Sequence, residues 1–283
     1  MRWTPGGESR NVEDRRGGGF GMAPVGIGGS VILLVLSLIF GRDFVSGSGD
    51  TNGAPPQKAN GEVAPVQQTP EEAKEVQFVS FVLDTAEATW AQLLPQQAQT
   101  PWHDAKLVLF RNATQTGCGV GREAMGPFYC PVDQKIYIDL GFYDELRSRF
   151  GAPGDFAQAY VLTHELGHHV QHLLGIDQRV RRAQDANPDQ ANALSVRLEL
   201  QADCFSGIWA HETQREQMLE SGDVEEALNA ASSVGDDRLQ RATTGRVNAD
   251  SFTHGTSKQR ATWFRRGFES GNLKDCDTFG SAS

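Results

Sequence analysis

The stretch AYVLTHELGHHVQHLLG, Ala159 to Gly175, places four histidines and one acid in an otherwise apolar helical pattern. A buried polar group needs a partner, so either these side chains are scattered and solvated or something sits among them. Asp155 after Gly154 supplies an N-cap and Gly175 a C′ glycine, which together bound one helix. His164 and His168 are four residues apart and share a face, and Glu165 follows the first of them. The pattern is H-E-x-x-H. One helical turn sets two imidazoles to grip one zinc ion, and the neighbouring carboxylate serves as general base toward the attacking water. Gly167, inside the motif, lets another backbone come close. His164, His168 and His172 together would extend two turns, roughly 12 Å along the axis, too far for one ion. A third histidine six residues beyond His168 is excluded, because that position is Leu174. His169 and His172 are therefore expected in packing, hydrogen bonding or at the surface, outside the ligand set.

A catalytic zinc needs three protein ligands and one open position. The next helical segment, NPDQANALSVRLELQADCFSGIWAH, starts on Asn187 and Pro188 and carries Glu199 and Asp203 four residues apart beside Leu198, Ala202, Phe205 and Trp209. Acids in an apolar helix need a reason. Glu199 is the expected third ligand, with Asp203 holding a ligand histidine by its other ring nitrogen; Asp203 could exchange roles with it. Hydrolysis also builds negative charge on the carbonyl oxygen, which calls for a further donor. His254, in the turn of SFTHGTSKQRATWF, is the first choice, ahead of His211, His103 and Tyr160.

Outward from the histidine segment, the chain reads as α+β and predominantly helical. Residues 70–94 place Val76, Phe78, Val79, Phe81, Val82, Ala86 and Trp90 in a helical pattern with acids in its first turn. KLVLF, Lys106 to Phe110, reads as a strand, and GPFYCPVDQKIYIDL, Gly126 to Leu140, as a hairpin turning near Pro131 to Gln134. These predict a small antiparallel sheet. The strand near Ile136 to Asp139 is expected as an edge to which an extended peptide adds.

The first 69 residues differ in character. Residues 1–19 are rich in Gly and Arg without apolar periodicity and read as a disordered cytoplasmic tail. No charge occurs between Gly17 and Gly41, and VILLVLSLIF, Val31 to Phe40, is almost wholly apolar. Residues 20–41 therefore read as one transmembrane anchor, with a poor cleavage site after it. Arg2, Arg10, Arg15 and Arg16 precede the span, so the N-terminus is expected to stay cytoplasmic and the rest to lie outside the membrane. Residues 42–69, rich in Gly, Ser, Pro, Asn and Gln, read as a disordered linker. The globular zinc-peptidase domain is expected over 70–283.

Of the 283 residues, 39% are hydrophobic and 22% charged, which is globular, and the net charge of −10 argues against a nucleic-acid partner. In an exported domain the four cysteines would pair. Three pairings are possible; Cys118–Cys130 and Cys204–Cys276 are favoured, since the first closes a short loop and the second ties the tail to the Glu199 helix. A four-cysteine zinc site would lack any C-x-x-C spacing.

The motifs GPFYCP, YIDL, FGAPGDFAQAYVLTHELGHHVQ, SVRLELQADCFSGIWA, GDVEEALNAASSVGDDRLQ and SFTHGTSKQR together resemble the bacterial neutral zinc metallopeptidases, over roughly Glu71 to Phe279. The resemblance implies a membrane anchor followed by a zincin-like catalytic domain, one zinc ion per chain on His164, His168 and Glu199, and Glu165 as base. The expected function is a membrane-anchored zinc endopeptidase with a peptide or protein substrate. Two other readings share the metal site: a zinc-binding, membrane-tethered interaction module with little turnover, and a zinc amidase on cell-wall material. Oligomeric state is not legible.

Overall fold

A computed structural model describes residues 1–17 and 68–280. Strand β1 (Val12–Asp14) precedes the long helix α1 (Pro70–Ala98); β2 (Lys106–Phe110), β3 (Ala113–Thr116), β4 (Gly119–Arg122), β5 (Phe128–Cys130) and β6 (Lys135–Asp139) follow. The rest is helical: α2 (Gly141–Ser148), α3 (Asp155–Leu173), α4 (Ile176–Ala186), α5 (Ala191–Arg215), α6 (Asp223–Ser233), α7 (Asp236–Thr244) and α8 (Ser257–Ser270), with short 3₁₀ turns between.

Local chemistry fixes the element ends. Thr69 and Glu72 form a reciprocal capping box at the start of α1, and Thr256 and Gln259 do the same for α8. At the start of α3 the capping position is Gly154, with Asp155 in the first turn, and Gly175 beyond its end takes a left-handed φ of 65°. The apolar face of α1, including Val79, Val82, Leu83, Trp90 and Leu94, is buried in one core with Leu107, Leu109, Ile136 and Ile138 of the sheet and with Phe156, Leu162, Phe205, Trp209 and Phe264 of the helices. Helices α5 and α8 cross so closely that a Cβ on Gly267 would lie 1.9 Å from the Cys204 carbonyl oxygen, and one on Gly207 2.0 Å from that of Phe264. Only glycine permits this approach.

The main sheet runs β1-β2-β6-β5. β5 and β6 form the expected antiparallel hairpin, but β2 pairs parallel to both β6 and β1. The sheet is therefore mixed rather than antiparallel, because the antiparallel β3–β4 pair and β5 intervene before β6 returns alongside β2. β6 is consequently a central strand, with partners on both sides, and not the edge expected of Ile136 to Asp139. The free edge on that side is β5.

The N-terminal segment departs most from expectation. Residues 1–17 are not a disordered tail. Val12, Glu13 and Asp14 pair in register with Leu107, Val108 and Leu109. Trp3 meets Phe78 edge-on at 5.3 Å. Asn11 donates to Glu87 at 2.6 Å, and Lys135 to Glu13 at 2.7 Å. The α-amino group of Met1 lies 2.9 Å from Asp155 and 3.2 Å from Asp223, at the starts of α3 and α6. The first 17 residues are thus part of the same fold as residues 68–280.

This overturns the expected membrane topology. A single span at 20–41 would set residues 1–17 and 68–280 on opposite faces of a bilayer, yet they share one hydrogen-bonded sheet. Among the described residues no helix is long and apolar enough to cross a membrane. The anchor at 20–41 and nearly all of the linker at 42–69 fall outside the described residues. The cytoplasmic N-terminus with an extracytoplasmic catalytic domain is withdrawn.

Candidate metal centre

Helix α3 is buried along nearly its whole length, packed by α5, α6, α1, α4 and β5. That packing explains why its polar groups are so thoroughly partnered. A Cβ on Gly167 would lie 3.0 Å from the Ala202 carbonyl oxygen, so the glycine inside H-E-x-x-H is where α5 comes close. The approach brings the middle of α5, with Glu199 and Asp203, against His164 and His168.

Glu199 Oε2 lies 3.2 Å from His164 Nε2, and Glu199 Oε1 lies 3.5 Å from His168 Nε2. Ligand atoms of the three residues all lie within 4.8 Å of one another. A tetrahedral zinc with bonds of roughly 2.0–2.1 Å has donor-to-donor edges of about 3.4 Å. The two Glu199-to-imidazole separations are close to that edge, and two imidazole nitrogens with a carboxylate are the donor types zinc takes. Asp203 takes the other position open to it: its Oδ1 lies 2.9 Å from His164 Nδ1, on the ring edge away from Glu199.

Asp203 is fully buried and held from several sides. Tyr160 donates to Oδ1 at 2.5 Å, and Arg260 donates through Nε to Oδ2 and through Nη2 to Oδ1, both at 2.9 Å. Burial opposes its charge, but Arg260 and His164 outweigh that and hold the carboxyl below the usual range. Burial opposes a charge on His164 too, yet Asp203 and Glu199 carry its pKa up to about 9. Proton and metal compete for the same Nε2 lone pair, so metal binding there releases a proton. Burial likewise opposes the Glu199 charge, and His168, His164 and His254 reverse the effect, holding it well below the usual range. Glu165 behaves oppositely. Its burial raises the carboxyl above the usual range despite the pull of His168 and His164, which suits a group that takes up and returns a proton.

His254 sits in the loop before α8, within electrostatic reach of Glu199. Asp236 anchors that loop, accepting from the backbone N–H groups of Thr253, His254 and Gly255 at 2.8, 2.7 and 3.0 Å. The other Asp236 oxygen lies 3.3 Å from His254 Nδ1, and the imidazole stays 30% exposed. The remaining candidates have other contacts. The Tyr160 hydroxyl is committed to Asp203, His211 Nδ1 to the Phe268 carbonyl at 2.7 Å, and the His103 carbonyl accepts from His169 at 2.7 Å. His169 is buried between that carbonyl and the Tyr129 hydroxyl, and burial pushes its pKa down to about 4. His172 pairs with Asp177 at 2.8 Å across the α3–α4 turn. The four cysteines form Cys118–Cys130 and Cys204–Cys276.

Sequence reasoning assigned no role to Arg260 or Gln171. Arg260 shares a face with Phe264 and Gly267, an arginine in a buried stripe. Gln171 stands three residues after His168 and contacts its Nδ1 at 2.8 Å.

Comparison with known proteins places the chain in a family. The family described as "Putative neutral zinc metallopeptidase" matches residues 1–279 and so includes the N-terminal strand. The uncharacterized protein YpfJ of Escherichia coli K12 is 49% identical over 294 residues, covering 100% of both chains. The uncharacterized protein Mb2605 of Mycobacterium bovis is 41% identical over 210 residues, covering 70% of this chain and 69% of its own. No solved structure matches the chain at a significant level. The chain belongs to the neutral zinc metallopeptidase family.

Proposed function

We propose that the protein is a zinc-dependent endopeptidase whose metal is held by His164, His168 and Glu199. The observation that carries this reading is the spacing of the Glu199 carboxylate oxygens from two Nε2 atoms, 3.2 and 3.5 Å, beside a buried glutamate. A zinc ion in that position supplies Lewis acidity, polarising a carbonyl and acidifying a water.

The chain's own residues do the rest. Glu165, kept proton-hungry by burial, takes a proton from the attacking water and delivers it to the leaving amine nitrogen. His254, oriented by Asp236, donates to the carbonyl oxygen as negative charge builds there. Asp203, fixed by Arg260 and Tyr160, receives the Nδ1–H of His164 and aims that ring. The free edge of β5, whose Tyr129 touches α3 through His169, offers backbone groups to an extended peptide.

Metal analysis of the full chain, with and without Glu199→Ala, tests the ligand set. Glu165→Gln tests the chemistry: zinc content should persist while cleavage of a peptide library falls about 10²–10⁴-fold. Unchanged turnover in Glu165→Gln, or a wild-type chain that takes up no zinc, refutes the proposal. Peptidoglycan fragments assayed beside the peptides separate an amidase from a peptidase.

A further inference from the structure

His164 is backed by a charged carboxylate, whereas His168 is backed by a neutral amide. The amide belongs to a hydrogen-bond chain whose direction is fixed at its far ends. The carbonyl oxygens of Cys276 and Leu198 can only accept. Gln201 must therefore turn its NH₂ group to Cys276 O, 2.9 Å away, which leaves its Oε1 facing Gln171. Gln171 spends its NH₂ group on Leu198 O at 2.7 Å and on Gln201 Oε1 at 3.1 Å. Its Oε1 then faces His168 Nδ1 at 2.8 Å and can only accept from it.

We propose that Gln171 and Gln201 are positioning residues that set the tautomer of His168, and that they make the C-terminal segment part of the metal site. The proton is forced onto Nδ1, and Nε2, the nitrogen beside Glu199, keeps its lone pair. Flipping Gln171 would set its Oε1 against the Leu198 carbonyl and Gln201 Oε1, acceptor to acceptor, and flipping Gln201 would set oxygen against the Cys276 carbonyl and NH₂ against NH₂, at side chains only 0% and 5% exposed. The anchoring carbonyl is itself held. Cys276 is bound to Cys204 on α5, and Thr278 donates to the Arg197 carbonyl at 2.6 Å, so the segment is pinned to α5 on both sides of Gln201. The consequence for metal binding rests on the zinc reading above; the tautomer does not.

The test uses the full chain with ¹⁵N-labelled histidine, and Gln171→Met, Gln201→Met and the double variant. In metal-free wild-type protein at alkaline pH, His168 should show the Nδ1–H form. In Gln171→Met it should shift toward the Nε2–H form that free histidine prefers. Zinc affinity, read by chelator competition, should fall about 10–100-fold in Gln171→Met and by less in Gln201→Met. The double variant should match Gln171→Met, because the two groups act in series. An Nε2–H tautomer in the wild-type protein overturns the proposal without any variant, and so do additive losses in the double variant. Absence of zinc binding by the wild-type chain would instead remove the metal reading, while the tautomer spectrum still decides the relay.

Discussion

Arg260→Met isolates the ion pair behind the metal centre. Arg260 is 4% and Asp203 0% exposed. The guanidinium makes two 2.9 Å bonds to the carboxylate and a further one of 3.1 Å to the Tyr160 hydroxyl. Methionine keeps most of the packing volume and removes the charge, leaving Asp203 buried with only Tyr160 and His164 to satisfy it. Removing one partner of a buried pair costs about 3–5 kcal/mol. A urea slope near 2–3 kcal/mol/M makes this a drop of roughly 1–2.5 M in unfolding midpoint. The measurement is made on chelator-treated protein, so metal binding does not contribute. Asp203→Asn in the same chain removes the stranded charge and should recover about half of the loss or more, whereas independent sites would add their costs. The reasoning fails if Arg260→Met costs under about 1 kcal/mol, or if adding Asp203→Asn brings no recovery.

Glu87 should make stability fall with rising pH. Burial, with Asp104 and Asp84 adding to it against the Asn11 contact, lifts its pKa from 4.5 to about 7. Between those values the native state keeps a proton that the unfolded chain has released, so stability declines as pH rises through the window and levels off above it. Glu87→Gln should flatten that slope and be the more stable form at pH 8, as read by urea midpoints across pH. Deleting residues 1–17 should destabilise the domain and expose β2 to proteolysis, because β1 pairing and the Trp3–Phe78 contact are lost. The two disulfides should separate in effect: replacing Cys118 and Cys130 by Ala opens a loop spanning 12 residues and costs about 3 kcal/mol with zinc affinity unchanged. Replacing Cys204 and Cys276 opens one spanning 72, costs about 4 kcal/mol and weakens zinc binding as well.

What the chain disclosed about itself divides by range of interaction. The α3 motif, the Glu199 helix and the β5–β6 hairpin are local patterns, readable from spacing alone. The sheet order was not readable, because β1 is three residues long and is stabilised by pairing with β2 over ninety residues away. Its anchors, Asn11, Glu13 and Arg15, look like solvated polar residues until Glu87, Lys135 and the Gln115 carbonyl are beside them. The same holds within the site. Glu199 and Asp203 stand on one helical face, and only the α3–α5 crossing shows which of them meets both Nε2 atoms. Arg260 is invisible from α8 alone, since its partner sits on a helix 57 residues earlier in the chain.

The unequal backing of the two histidines has an electrostatic consequence. Arg260 cancels Asp203, and Gln171 is uncharged, so the net negative charge facing a dication comes from Glu199 and Glu165 alone. A carboxylate in place of Gln171 would aim His168 equally well. It would also add a third uncompensated acid close to Glu165, whose proton affinity is already raised by burial and by Glu199. A nearby like charge raises it further, and a base that binds its proton too tightly returns it slowly to the leaving amine. An amide relay supplies the same orientation without that charge, and it leaves the proton affinity of Glu165 to be set by burial, by His168 and His164, and by Glu199.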